Sequence, residues 1–357
     1  MSLPVVPETM SALRLYEAGA PGHPADLRWE EVPTPRASAG EVLVRVEACG
    51  LGDDLPLIGG EHPPPGLPVT LGREASGVIA ATGPQVADWQ PGDRVAVAGG
   101  IVCERCVYCT SGRDNLCIAR QSLGQDRDGA HAEFVLVDER ALLAAPGELA
   151  PELVALVTRT VAVPYHALKR GGAGEGVTLS VHGLDGRGLH AIQLARLTGA
   201  HIIGVDRGER LERARDWGAD EVVDAGEDDV AHRVRELTEG GVDRSLELTG
   251  HAQSVRTAVD CLRPGGRATL ARAGTLTLPE ATLTRVVERE LDLVGSPDPT
   301  LQDVGELLDL LADGRLDLTR SVGVRVPTSE LPGRLPELLE SDPVSVVAAP
   351  APAEPGA

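Results

Sequence analysis

The sequence predicts an α/β protein in two parts, a β-rich domain followed by an open, doubly wound parallel sheet. Three observations predict it. Val177 to Asp206 reads VTLSVHGLDGRGLHAIQLARLTGAHIIGVD: an apolar strand, a glycine-rich turn, a helix with an apolar face, a second apolar strand and a terminal acid. That is the order of half a dinucleotide-binding sheet. From Ala12 to about Ala48, short strands alternate with Pro and Gly turns, and helical periodicity is absent until much later. Beyond Asp206 the chain repeats strand and helix, the alternation of a parallel sheet.

Composition bounds the function classes. With 357 residues, 42% of them hydrophobic, the chain can fill two cores. A net charge of −21 and an isoelectric point near 4.8 exclude nucleic acid and anionic membrane surfaces as partners, since both would be repelled. The excess of arginine over the single Lys169, with abundant alanine and glycine, reflects a GC-rich genome more than a function. MSLPVVPETM has no basic region followed by an apolar run, and no segment reaches the length of a membrane span. Of six cysteines, four fall within fifteen residues, which fits a reducing compartment and a cytoplasmic location.

In the first domain EVLVRVEA is the clearest alternating strand, and QPGDRVAV supplies a turn and a further strand. Cys103, Cys106, Cys109 and Cys117 follow with the spacing C-x2-C-x2-C-x7-C. Four thiolates so close in sequence can surround one tetrahedral Zn²⁺, and with no open ligand position such a zinc is structural, one per chain. The competing reading is four free or oxidisable thiols.

The glycine-rich turn departs from G-x-G-x-x-G at one place. It reads Gly183, Leu184, Asp185, Gly186, Arg187, Gly188, so an acid replaces the middle glycine that should leave room for a pyrophosphate. A carboxylate at a helix start is a good N-cap and would take the anion site of a cofactor phosphate. Two like charges about 4 Å apart repel by roughly 4 kcal/mol at an effective dielectric near 20. Arg187 is the candidate to offset that repulsion. The alternative is a helix cap with no cofactor. Asp206 stands where an acid holds the adenosine ribose hydroxyls, which favours NAD(H), while Arg207 beside it leaves room for NADP(H). Both could also be ordinary strand-end residues.

DEVVDAG, the helix AHRVRELTEG, DRSLELTG, a helix around SVRTAVDCL and RPGGRATLARAG then continue the sheet, with Cys261 in the apolar phase of its helix. LDLVGS and VGELLDLLADGRL close the pattern, and the tail SVVAAPAPAEPGA is Ala/Pro-rich and expected to be disordered.

The cysteine lobe, LGREASGVI, QPGDRVAV, GAHAEFVLV, PYHAL and the βαβ unit occur in an order that resembles medium-chain dehydrogenases/reductases of the zinc-containing alcohol dehydrogenase type, over about Ala12 to Leu339. The resemblance implies a GroES-like domain with the zinc lobe over 1–150, a Rossmann domain over 151–290, a return to the first domain over 291–345 and a tail over 346–357. It also implies a small-molecule substrate bound between the domains, cofactor contacts from Thr249 and Gly250, and a homodimer or homotetramer. Cys49 resembles the family's first, non-ligand cysteine.

The same resemblance exposes three departures. The family holds a catalytic zinc by a cysteine in a CGxCxxD loop, the histidine of a GHE triplet and a cysteine shortly before the YxAL segment. Here the loop is Cys49-Gly50-Leu51-Gly52-Asp53-Asp54-Leu55, one residue shorter and without the ligand cysteine; the triplet is Gly72-Arg73-Glu74; and the third position falls near Arg159. A guanidinium has no lone pair for a metal, so no catalytic zinc is expected. Asp53 or Asp54 stands where the family has its proton-relay hydroxyl. Arg73 and Arg159, balanced by Asp53, Asp54 or Glu74, could grip a carboxylate or stabilise an oxyanion, or could fill the vacated site with internal ion pairs. His131, His166, His182 and His190 read as packing or surface histidines.

The leading expectation is a zinc-independent oxidoreductase that uses NAD(P)H to reduce a polarised C=C, iminium or carbonyl, chemistry that needs little Lewis-acid help. A non-redox cyclase or lyase on the same scaffold is the alternative, motivated by two coincident changes, the lost ligands and Asp185. A catalytically silent binding protein is the third class.

Overall fold

A computed structural model describes residues 6–20, 23–272, 274 and 280–350. The chain divides into two compact units, one of Met1–Thr160 with Thr300–Ala357 and the other of Val161–Pro299.

Among the described residues the first unit carries ten strands before the chain leaves it: β1 (Thr9–Glu17), β2 (Asp26–Pro33), β3 (Glu41–Gly50), β4 (Val69–Thr70), β5 (Glu74–Thr82), β6 (Arg94–Val97), β7 (Gly100–Ile101), β8 (Gln121–Ser122), β9 (Phe134–Asp138) and β10 (Leu142–Ala144). β3 is the hub. It is a run of β-branched and small residues that pairs antiparallel with both β5 and β9 and is buried on both faces. Val42, Val44 and Val46 pack with Ile79, Val95 and Val135, while Leu43 points the other way, to Met10, Ala12 and Phe134. The alternation expected of EVLVRVEA is thus an alternation between two cores.

The second unit carries β11 (Thr178–His182), β12 (His201–Asp206), β13 (Glu221–Asp224), β14 (Val242–Glu247), β15 (Leu262–Leu270) and β16 (Asp292–Gly295). They form one parallel sheet in the order β13-β12-β11-β14-β15-β16. This is the doubly wound dinucleotide-binding order, and its direction reverses between β11 and β14. Strands covered on both faces read as continuous apolar runs, as in the fully buried Ile202, Ile203 and Val205 of β12. Cys261 ends a helix and sits in the core with Val259 and Leu262.

The sequence reading put the domain boundaries at 150/151 and 290/291; the compact units divide at 160/161 and 299/300. Ser76 Oγ on β5 donates to the Pro151 carbonyl at 2.7 Å, tying the helix Pro151–Leu156 to the first unit. Asp292–Gly295, for its part, completes the parallel sheet.

One expectation is corrected. The tail was read as disordered from residue 346 on, yet Val346–Ala349 forms β18, paired parallel with β17 (Val324–Pro327) and antiparallel with β3. Val347 and Ala348 are 2% and 0% exposed, so apolar burial and a strand edge on β3 outweigh a composition that turns proline-rich only at Pro350. Residues 351–357 of that tail lie outside the described residues.

Candidate functional site

Three local constructions carry the chemistry. The first is the cysteine lobe. Cys103, Cys106, Cys109 and Cys117 converge, their sulfurs all within 4.8 Å of one another. Tetrahedral zinc with bonds of about 2.3 Å sets sulfurs roughly 3.8 Å apart, so sulfurs this close to one another fit the ion. Backbone N–H groups of Cys109 and Ile118 pull the Cys106 thiol down to about 6, and those of Arg105 and Cys106 lower Cys103. Loss of hydration, then hydrogen bonds from its neighbours, push Cys109 up to about 12. Four sulfurs brought together in this way suit a cation that completes the lobe. Among the described residues it is the one such group of three or more Cys, His, Asp or Glu side chains.

The second construction occupies the positions where the resemblance puts catalytic-zinc ligands. Asp54 and Glu74 are both fully buried. Asp54 follows the short turn after β3, and its Oδ1 accepts the Gly72 N–H at 3.1 Å while Oδ2 lies 3.0 Å from His131 Nε2. His131 Nε2 is also 3.8 Å from the buried Cys49 Sγ. Gly72 has φ +111°, and a Cβ there would lie 2.4 Å from the His131 nitrogen, so only glycine lets the two loops meet. Glu74 opens β5, and its carboxyl accepts the Thr160 N–H at 2.8 Å on one oxygen and Thr160 Oγ1 at 2.9 Å on the other. A Cβ at Gly50 would strike Glu74 Oε1 at 2.1 Å. Loss of hydration pushes the Glu74 carboxyl up to about 8, against the Thr160 bonds and the Arg73 charge, which pull it down.

Arg73 and Arg159 both flank Gly99: a Cβ there would lie 2.2 Å from the Arg73 carbonyl oxygen and 3.1 Å from Arg159 Cδ. Arg159 is 5% exposed and rides on a five-residue π-helix, Val157–Val161. Such turns aim side chains that a regular helix would point elsewhere. The side chain of Asp53 lies outside the described residues. Sequence reasoning left His131 as a packing residue and did not single out Thr160. Their partners stand 77 and 86 residues away, and no local pattern announces either pair.

The third construction is the nucleotide turn of the second unit. The helix Gly186–Leu197 starts at Asp185, whose Oδ1 accepts Arg187 N–H at 3.1 Å and Gly188 N–H at 3.3 Å. The expected cap is in place. Gly183 has φ +90°, and a Cβ on Gly188 would meet the Gly183 oxygen at 2.0 Å, so the flanking glycines serve the tight turn and the close helix approach. Asp206 ends β12; its Oδ2 accepts Leu184 N–H at 2.6 Å and pairs with Arg210 at 3.3 Å, and its Oδ1 accepts Arg207 N–H at 2.8 Å. Beyond β14, Thr249 donates both N–H and hydroxyl to Glu247, and Gly250 N–H reaches the other Glu247 oxygen at 3.1 Å.

A cavity of about 420 Å³ opens at these carboxyl ends, lined by Gly183, Asp206, Arg207, Glu227, Asp228 and Thr249 among others. His182, also on its wall, is buried and bonded to Ser180 at 2.9 Å, and loss of hydration pushes it down to about 3. Dimension, position and the glycine cradle fit the adenosine half of a dinucleotide. Asp185 does not fit its ionised pyrophosphate.

Comparison with known proteins shows the family. The profile of the alcohol dehydrogenase GroES-like domain matches residues 38–147, and that of the zinc-binding dehydrogenases matches 186–313. An alcohol dehydrogenase of Geobacillus stearothermophilus is 34% identical over 294 residues, covering 81% of this chain and 87% of its own length. Alcohol dehydrogenase TADH from Thermus sp. ATN1 superposes with a TM-score of 0.85 at 31% identity, covering 95% of this chain and 99% of its own. A zinc-binding dehydrogenase from Sinorhizobium meliloti 1021, solved bound to NADP, does so with 0.83 at 30%, covering 96% and 100%. The chain belongs to the zinc-containing alcohol dehydrogenase family of medium-chain dehydrogenases/reductases and is an alcohol dehydrogenase-like, NAD(P)-dependent type of oxidoreductase.

Proposed function

We propose that this chain is a zinc-independent reductase that takes hydride from NAD(P)H to a substrate whose C=C, iminium or carbonyl is already polarised. One observation carries the reading. At the positions where the resemblance implies catalytic-metal ligands stand Arg73 and Arg159, near two buried carboxyls engaged by His131, Gly72 and Thr160. That donor set does not fit a zinc ion. It does suit a developing negative charge, because guanidinium groups in a dry site stabilise an oxyanion without needing a metal. Bound NAD(P)H would supply the hydride, and the protein's part is to orient the acceptor and meet its charge.

The cavity wall favours NAD(H), since Asp206, Glu227, Asp228, Asp229 and Asp260 set five acids against Arg207 and would repel a 2′-phosphate. We place the protein in the cytoplasm because four of its six cysteines are grouped as metal-ligand thiols and none is in a disulfide. Among the described residues no helix is long and apolar enough to cross a membrane. We also read it as a homo-oligomer, with Val107 and Ile118 of the cysteine lobe, 72% and 79% exposed, as apolar residues a partner copy would cover.

The test is NADH and NADPH oxidation against a panel of enones, imines and simple ketones. Turnover of the conjugated acceptors, with kcat/KM falling about 100-fold or more in Arg73→Ala or Arg159→Ala, is expected. Turnover confined to simple alcohols and ketones and dependent on added zinc would contradict it. Asp185 gives the second reading its specific support, a cyclase or lyase that converts substrate with no nucleotide turnover.

A further inference from the structure

We infer that dinucleotide binding to this chain takes up one proton, at Asp185. The inference rests on the cofactor reading above and on the one place where the turn and the cofactor disagree. Arg187 N–H and Gly188 N–H are the donors that a helix start offers to a phosphate, and Asp185 Oδ1 already holds both. The backbone of the turn is tightly packed. A Cβ at Gly183 would lie 2.6 Å from Thr249 Cγ2, and one at Gly188 would lie 2.0 Å from the Gly183 oxygen, so the strand end, turn and helix are already in contact.

The charges around Asp185 leave nothing over for two more. Asp206 faces it from the end of β12, Arg210 from the next helix and Arg272 from beyond β15, with Arg187 on its own helix. Arg210 is shared with Asp206. His182, buried and pushed down to about 3, contributes no charge near neutrality, and Glu247 at the end of β14 is occupied by Thr249 and Gly250. Asp185 and Asp206 against Arg210 and Arg272 leave no positive charge over to meet a pyrophosphate that brings two negative ones. One proton at Asp185 removes the negative charge that would otherwise stand against the phosphate. It also changes what Asp185 offers, since a protonated carboxyl is neutral and can donate to a phosphate oxygen where a carboxylate can only repel it. Loss of hydration already raises the Asp185 carboxyl above its ordinary range, against the pull of Gly188 N–H and the two arginines.

The experiment is calorimetric titration of the full chain with NAD⁺ and with ADP-ribose, in two buffers of different ionisation enthalpy, between about pH 5 and about pH 8. Wild type, Asp185→Gly and Asp185→Asn are compared; the asparagine keeps a cap without a charge. Wild type should take up close to one proton per ligand at the upper end of the range, its Kd rising about tenfold per pH unit there. Both variants should bind at least about tenfold more tightly near pH 8 and take up no proton at this site. Wild-type binding without proton uptake, or with the same Kd as Asp185→Asn throughout, would overturn the inference and leave the cofactor reading standing. Absence of binding by all three proteins would overturn both.

Discussion

Two lobes of the first unit stand where the resemblance puts zinc, and they are built in opposite ways. The cysteine lobe keeps four sulfurs within 4.8 Å of one another, with backbone N–H groups that lower two of the thiols. The lobe around Asp54 and Glu74 carries Arg73 and Arg159 where the resemblance puts metal ligands, and its carboxyls are engaged by hydrogen bonds. Each carboxyl oxygen has a named partner, and both side chains are fully buried. On the zinc-independent reading proposed above, the difference teaches that a metal site can be given up without leaving a hole when hydrogen bonds take over the satisfaction of buried groups. A metal lobe with little apolar content has no such substitute, since the ion is its core.

The contrast can be broken most severely from the cysteine side. Cys106→Ser should abolish zinc retention and destabilise the protein by about 4 kcal/mol or more, read by metal analysis and urea unfolding. On the other side, Asp54→Ala should cost about 2–4 kcal/mol, because it leaves His131 Nε2 and Gly72 N–H buried without their acceptor. That variant should keep its zinc. Loss of metal from Asp54→Ala would mean that the two lobes are not independent.

Acid–base behaviour sharpens the comparison further. Glu74 stays protonated in the folded state up to about 8, whereas in the unfolded chain it ionises near its ordinary value of 4.5. Between those limits the folded state holds one more proton than the unfolded one, so Glu74's contribution to stability is full below 4.5 and is lost as pH rises through 8. The slope is up to about 1.4 kcal/mol per pH unit. Glu74→Gln, which cannot ionise, should lose this dependence and be the more stable protein at the alkaline end of the window, measured by urea unfolding across it. An unchanged slope would mean that Glu74 is ionised where it lies.

The smallest effect is chemical. Burial pushes Cys261 up to about 12 and Cys49 well above its ordinary range, so neither should react with a thiol reagent in the folded protein. Zinc-loaded protein should titrate essentially no thiols, and chelation should release about four. A release of five or six would mean that removing zinc opens the neighbouring core as well.

Much of this was legible in the sequence, and the reason lies in range. The cysteine spacing, the glycine turn and Asp185 as a cap are local patterns, within fifteen residues for the cysteines and six for the turn, and each stands in the structure as its spacing implies. The six-stranded parallel sheet followed from the repeated alternation of strand and helix. What the sequence did not carry are pairings across the chain. His131 meets Asp54 over 77 residues and Thr160 meets Glu74 over 86, and neither has a periodicity to betray it. Val346–Ala349 misled for a related cause: its composition belongs to a tail, but β3 offers it an edge that only the fold reveals.

The most direct measurement is the zinc content of the purified chain by elemental analysis. The account predicts about one zinc per chain, held by the four cysteines and lost in Cys106→Ser. Two per chain, with the second retained in that variant, would contradict it, because among the described residues the four cysteines are the one group of three or more Cys, His, Asp or Glu side chains placed to hold a metal.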